Sequence, residues 1–177
     1  PLHEMTNSRL SESVSLGVWI RAGGRYEDTK DNGISHLLEH LLFKGTTKRD
    51  MKKLKEDIEG RGGSFNGFTA EEFTCYLVKV QAKDIELGVD ILSDMVTSPR
   101  LAPEEIEKEK SVIIEEINMY KDIPSHHVHE LLTEMLWPGH PLGFPLAGSA
   151  ESVNALTRDG LVAYKERYYN PGNMVIT

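Results

Sequence analysis

His36, Glu39 and His40 stand within five residues of one another in the run His36-Leu37-Leu38-Glu39-His40. On a helix, residues four apart differ by about 40° around the axis and lie one turn apart along it, so the two imidazoles stack on one face and can grip a single ion. Glu39 falls about 60° from His36, beside the ligands, where a carboxylate can take a proton from water activated by that ion. Two histidines and a glutamate can also meet in this order by chance among seven His and 28 acidic residues. A third ligand decides, because a catalytic zinc takes three protein ligands and keeps one position open.

The acids of residues 103–120 offer that ligand, and helical periodicity sorts them. Ile106, Val112, Ile113, Ile117 and Tyr120 form an apolar sector, and Glu109 and Glu116 fall inside it, two turns apart. Glu115 points the opposite way, Glu107 lies well off the sector and Glu105 on its margin. A carboxylate in an apolar stripe is costly unless partnered, and a metal ion is a strong partner. Glu116 is therefore chosen as the third ligand and Glu109 as the group that orients a ligand or the water. The competing reading of these two acids is a pair of buried salt bridges.

Positioning these residues requires a scaffold, which the rest of the pattern outlines. Residues 13–20 alternate Val14, Leu16, Val18 and Ile20 with Ser13, Ser15, Gly17 and Trp19, the two-residue period of a strand. Ile34, Leu37, Leu38, Leu41 and Leu42 recur at spacings of three and four, which predicts a buried helix over 34–43 closed by Gly45. Asp50 can cap a second helix that packs Met51, Leu54 and Ile58 and stops at Gly60. Extended segments follow over 64–68 and 73–80. Helices are expected over 83–96, over 103–120 with Pro103 as first residue, and over 126–136 and 161–168. After the turn Asn170-Pro171-Gly172, the run to Thr177 has strand propensity. Strands and helices mix without a regular βαβ rhythm, which predicts an α+β fold, a mainly antiparallel sheet backed by helices.

The chain has 177 residues, enough for one sizeable core. Twenty Lys and Arg against 28 Asp and Glu give a net charge of −8, with no run of five like charges, so nucleic acid is not an expected partner. No apolar run approaches the roughly 20 residues that cross a bilayer, and no membrane association is expected. The single cysteine, Cys75, allows neither an internal disulfide nor a thiolate zinc cluster. The opening at Pro1 without Met and the strand that stops at Thr177 lead to the expectation that the gene product is longer.

The run Gly33-Ile34-Ser35-His36-Leu37-Leu38-Glu39-His40-Leu41-Leu42-Phe43-Lys44-Gly45-Thr46 resembles the zinc-binding segment of the pitrilysin-type peptidases, the inverzincins with an HxxEH motif. It is close to the β-subunit of mitochondrial processing peptidase and its bacterial relatives. Gly62-Gly63-Ser64-Phe65-Asn66-Gly67-Phe68-Thr69 is similar to the family's substrate-strand segment, and Val112-Ile113-Ile114-Glu115-Glu116-Ile117 to the segment carrying its distal glutamate. Pro141-Leu142-Gly143 and Tyr168-Tyr169-Asn170-Pro171-Gly172-Asn173-Met174 extend the likeness over nearly the whole chain.

The resemblance implies that residues 1–177 are a fragment of the N-terminal catalytic domain of a two-domain zinc endopeptidase, incomplete at both ends. Family members carry a further strand ahead of the segment at Ser13 and a completed strand after Thr177, and their related second half adds an Arg and a Tyr near the scissile carbonyl. It implies one Zn²⁺ per chain, held by His36, His40 and Glu116, with Glu39 as base. It makes 64–68 the edge strand on which an extended peptide is laid, with Asn66, Gly67 and Phe68 as contacts. Relatives usually have Ala at Gly67, and the missing methyl should loosen that contact; the dipeptide Asn66-Gly67 alone reads equally well as a tight turn.

Acidic residues that hold a basic substrate residue in processing peptidases map onto His126 and Glu130, and only Glu130 remains acidic. With the net charge of −8, this points to unstructured basic peptides or presequences. His126-His127-Val128-His129 reads as a solvated helix face rather than a metal site. The alternative to an enzyme is a non-catalytic core subunit of the same family acting as a binding module, although such members have degraded metal motifs. A structural zinc site would show four protein ligands. The resemblance to bacterial members favours a bacterial cytoplasm over a mitochondrial matrix. Monomer, homodimer and heterodimer with a related subunit all stay open.

Overall fold

A computed structural model describes residues 12–177. Four strands, β1 (Ser13–Ile20), β2 (Ser64–Thr69), β3 (Thr74–Gln81) and β4 (Met174–Ile176), form one antiparallel sheet in the order β2-β3-β1-β4. The register follows from the hydrophobic alternation. Val18 pairs with Tyr76 and Leu16 with Val78, which sets Val18, Ile20, Tyr76, Val78 and Val80 on one face. Phe65, Gly67 and Thr69 of β2 pair with Val78, Tyr76 and Thr74 and so share that face, while Ser64, Asn66 and Phe68 fall on the other. The far edge of β2 is unpaired among the described residues.

Among the described residues seven α-helices accompany the sheet: α1 (Ile34–Leu42), α2 (Met51–Glu59), α3 (Ile85–Thr97), α4 (Pro103–Lys121), α5 (Pro124–Leu136), α6 (Ala150–Ala155) and α7 (Arg158–Tyr168). The α+β architecture read from the pattern is the one observed. Leu37, Leu38, Leu41 and Leu42 of α1 are fully buried against a core that includes Tyr76, Ile113 and Leu161. Each such side chain contributes about 1.5–3 kcal/mol. α1 is thereby wedged between β2, α4 and α7.

The start of α1 is unusual. Its N-cap, Gly33, adopts φ 93° and has no side chain with which to cap, and a Cβ there would lie 2.7 Å from the Ala147 carbonyl oxygen. The buried Glu27 carboxylate replaces the cap, accepting from Gly33 N at 2.8 Å, Ser35 N at 2.9 Å and Asn32 Nδ2 at 3.1 Å. A negative charge at a helix N-terminus is also favoured by the helix dipole.

Several sequence expectations are refined. Asp50 caps α2 as expected, accepting from Lys53 N at 2.8 Å. The Asn66-Gly67 dipeptide lies inside β2, not in a turn. Val112 is exposed, so the buried stripe of α4 is narrower than the apolar sector, and Ile85 and Val89 of α3 are exposed as well. The periodicity missed α6, a short helix whose Ser149 cap and Ser152 form a reciprocal capping box. The helix expected over 161–168 begins earlier, where Thr157 caps α7 by accepting from Gly160 N at 3.1 Å. The strand expected ahead of Ser13 concerns residues 1–11, outside the described ones.

Candidate metal centre

α1 presents His36 and His40 on the side facing α4, their ring centroids 4.7 Å apart. Glu116, from the C-terminal half of α4, reaches both: its Oε2 is 3.8 Å from His36 Nε2 and 3.7 Å from His40 Nε2. Two ligands on a tetrahedral zinc, each about 2.0–2.2 Å from the ion, stand about 3.3–3.5 Å apart, so these separations fit an ion within a small adjustment. One donor atom from each of the three residues can be chosen within 4.8 Å of the others, and no other group of three such residues does this among the described residues. His126, His127 and His129 form no second group. His126 stacks on Tyr120, and His127 lies 3.6 Å from Glu130.

The electrostatics suit a cation. Burial, aided by the neighbouring His40 and opposed by Glu116, pulls the His36 pKa down to about 4, which leaves a neutral imidazole with a free lone pair. His36 Nδ1 is buried and has no hydrogen-bond partner among the described residues. Burial also works against a charged His40, but its hydrogen bond to Glu109 and the charges of Glu39 and Glu116 outweigh it and raise its pKa. In that bond His40 Nδ1 and Glu109 Oε2 are 3.1 Å apart, and the other Glu109 oxygen meets Lys44 Nζ at 2.7 Å. Glu109 is thus a buried carboxylate in contact with a candidate ligand and kept ionised by two partners.

Glu39 sits beside the cluster, buried, with its pKa raised by desolvation against the opposing Thr69 hydrogen bond. Thr69 Oγ1 donates to Glu39 Oε2 at 3.0 Å. Gly67, two residues earlier on the same face of β2, is where the strand comes closest. A Cβ there would lie 2.9 Å from Phe43 Cε2 and 3.1 Å from Glu39 Oε1. The space of the missing methyl is therefore already occupied by the Phe43 ring, and an alanine would require that ring to move.

The remaining sequence candidates are placed less uniformly. Glu130 is half-exposed and lines the same cleft, of about 420 Å³, together with Tyr120 and His126. Phe68 borders this cleft, and Asn66 borders a neighbouring recess. Both lie on the outer face of the sheet: Phe68 packs edge-on against Trp19 and Phe73, and Asn66 Oδ1 accepts from Gly67 N. Sequence reasoning missed the roles of Thr69, Lys44 and Glu27. Thr69 lies two residues beyond Gly67, and Lys44 four beyond His40, so each had a periodic signal; Glu27 had none.

Residues 4–150 match the family model described as Insulinase (Peptidase family M16). An uncharacterized zinc protease of Bacillus subtilis is 39% identical over 98% of the chain, and a probable mitochondrial-processing peptidase subunit beta of Arabidopsis thaliana is 35% identical over 99%. The chain spans 42% of the first relative's length and 33% of the second's. A crystal structure of a protease from Helicobacter pylori, 23% identical, superposes with a TM-score of 0.88 over 93% of the chain and 40% of its own, a likeness of fold. With most of its length matched by that one family model, the chain belongs to the insulinase family of peptidases, family M16.

Proposed function

We propose that this chain supplies the zinc site and the proton-transfer group of an endopeptidase that cleaves extended, basic peptides. The observation that carries the reading is the convergence of His36, His40 and Glu116 on one point, with Glu39 beside them and the open edge of β2 alongside. The zinc protease named among the relatives supports the choice of metal. One Zn²⁺ held by His36, His40 and Glu116 supplies Lewis acidity at the reacting centre. Glu39 takes a proton from the attacking water and returns it to the leaving amine, and Thr69 holds the carboxylate in the orientation this requires. Glu109 fixes the His40 ring through Nδ1.

β2 offers its unpaired edge to the main chain of an extended peptide, which gives affinity largely independent of side chains. Gly67 brings that strand against Glu39, Asn66 and Phe68 flank it, and Glu130 stands on the opposite wall to receive a basic side chain. The net charge of −8 draws such peptides in. The greater length of the relatives supports a second, related domain or subunit that completes the cleft, and the bacterial source of the relative at 39% identity supports a bacterial rather than a mitochondrial setting.

The test is a zinc titration of the metal-free, full-length protein and its Glu39→Gln variant, followed by cleavage of a quenched basic peptide. Both are expected to bind one ion per chain, with cleavage reduced about 10²–10⁴-fold in the variant. Zinc binding by both, with no cleavage of a broad peptide set by either, would replace the enzyme by a binding module.

A further inference from the structure

Beside the cleft that holds the metal cluster lies a second recess of about 290 Å³, and the two share Glu39 and His40. Phe65 and Asn66 of β2 line the second recess, whereas residues 67–69 line the cleft. A peptide laid along β2 therefore sends side chains into the two hollows from opposite sides of the bond that Glu39 serves.

The hollows differ in charge. The cleft holds Glu130 at its wall. The recess is walled by the apolar groups of Phe43, Met51 and Phe65, and it carries two ammonium groups, Lys44 and Lys55. Lys44 is neutralised by Glu109 at 2.7 Å. Its neighbours on α2 are paired as well, Lys53 with Asp57 at 2.7 Å and Lys52 with Glu56 at 3.7 Å. Lys55 is exposed and has no hydrogen-bond or ion-pair partner among the described residues. The recess therefore has apolar walls, the Glu39 carboxylate on the side it shares with the cleft, and one ammonium, Lys55, with no ion-pair partner among the described residues.

We infer that this recess accepts a side chain with an apolar stem and a terminal carboxylate, so that the site favours glutamate on the side of the scissile bond opposite the basic residue taken by Glu130. The inference rests on the peptidase reading and extends it: the substrate is a peptide of opposite charges flanking the cut. Phe43, Met51 and Phe65 alone would take any apolar side chain; Lys55 separates glutamate from glutamine and both from lysine. Because Lys55 stays in water, the preference is modest. Exposed ion pairs of this kind correspond to about 1.5- to 5-fold in rate.

The experiment compares kcat/KM of the full-length, zinc-loaded protein on peptides that keep one arginine fixed and vary a single position across the cut among Glu, Gln and Lys. The expected order is Glu above Gln above Lys, about 1.5- to 5-fold at each step at low salt and shrinking as salt is added. Lys55→Glu should invert the order and Lys55→Gln should flatten it; both changes lie on an exposed helix face and are read as ratios within each variant. An order that is the same in all three proteins overturns the inference while the peptidase reading stands. Failure to cleave any of the peptides overturns both.

Discussion

Two helices line the cleft from different sides, α1 with the candidate metal ligands and α5 with His126 and Glu130, and they are anchored in opposite ways. Seven of the nine residues of α1 are buried, and its N-terminus is tied down by the Glu27 carboxylate. None of the 13 residues of α5 is buried, and Val128, Leu131, Leu132, Met135 and Leu136 face outward without cover among the described residues. The groups proposed to hold an ion at fixed distances stand on a helix whose backbone is fixed by its packing. The proposed contact with a substrate side chain stands on a helix with no buried residue, as adaptable recognition allows.

The sharpest way to break this contrast is to hollow out the anchored side. Leu38→Ala removes a fully buried side chain from α1 and is expected to cost about 2–5 kcal/mol in denaturant unfolding, with zinc affinity falling as α1 loosens. A cost below about 1 kcal/mol would mean that α1 is not held by its core face. Glu109→Ala acts next, because it leaves His40 Nδ1 and Lys44 without their shared carboxylate. Zinc affinity, followed by competition with a chelator, should fall about 10- to 100-fold. Unchanged affinity would show that the His40 ring needs no such support.

Glu27→Gln tests the anchor at the start of α1. Glutamine can place an oxygen toward only one side of the Gly33 and Ser35 amides, so one donor set then faces an NH₂ group, at a cost of about 1–3 kcal/mol. The pH dependence carries a sign. Burial, against its hydrogen bonds, raises the Glu27 pKa above the ordinary carboxylate value, so the folded state holds this proton more tightly than the unfolded chain. Its contribution to stability is fully present below the unfolded pKa and is lost as pH rises through the folded one. The stability gap between the parent and Glu27→Gln should therefore widen as pH falls from neutral into the carboxylate range, and a gap that narrows there would contradict a raised pKa.

The same contrast marks what the sequence could disclose. His36, Glu39, His40, Glu109 and Glu116 were legible because each lies on a helix, where a fixed angular step converts spacing into a shared face. The antiparallel sheet was legible from the alternation in β1 and the closeness of β2 to β3. Glu27 was not, since its role depends on a loop folding back over six residues to meet a glycine N-cap that has no side chain of its own. The apolar sector read from the period is wider than the buried stripe of α4 because Val112 obeys the period yet is half-exposed, and periodicity records a face without recording what covers it. Thr69 needed the register of β2 against β3 before its hydroxyl could be set beside Glu39.

The smallest expected effect lies on α5 and tests the contrast from its other side. Leu132 is half-exposed and sits in an outward-facing apolar row, so Leu132→Ala removes little buried area and should change the unfolding free energy of this chain by no more than about 0.5 kcal/mol, as surface substitutions do. The same substitution in the full-length protein distinguishes two situations. A cost that stays within that limit leaves α5 a free wall of the cleft, able to shift as peptides of different size enter. A cost above about 1 kcal/mol, appearing only in the longer protein, would mean that the row of Val128, Leu131, Leu132 and Met135 is covered by the rest of the molecule. In that case the Glu130 wall is as firmly held as the wall of histidines, and the difference between α1 and α5 belongs to this chain alone.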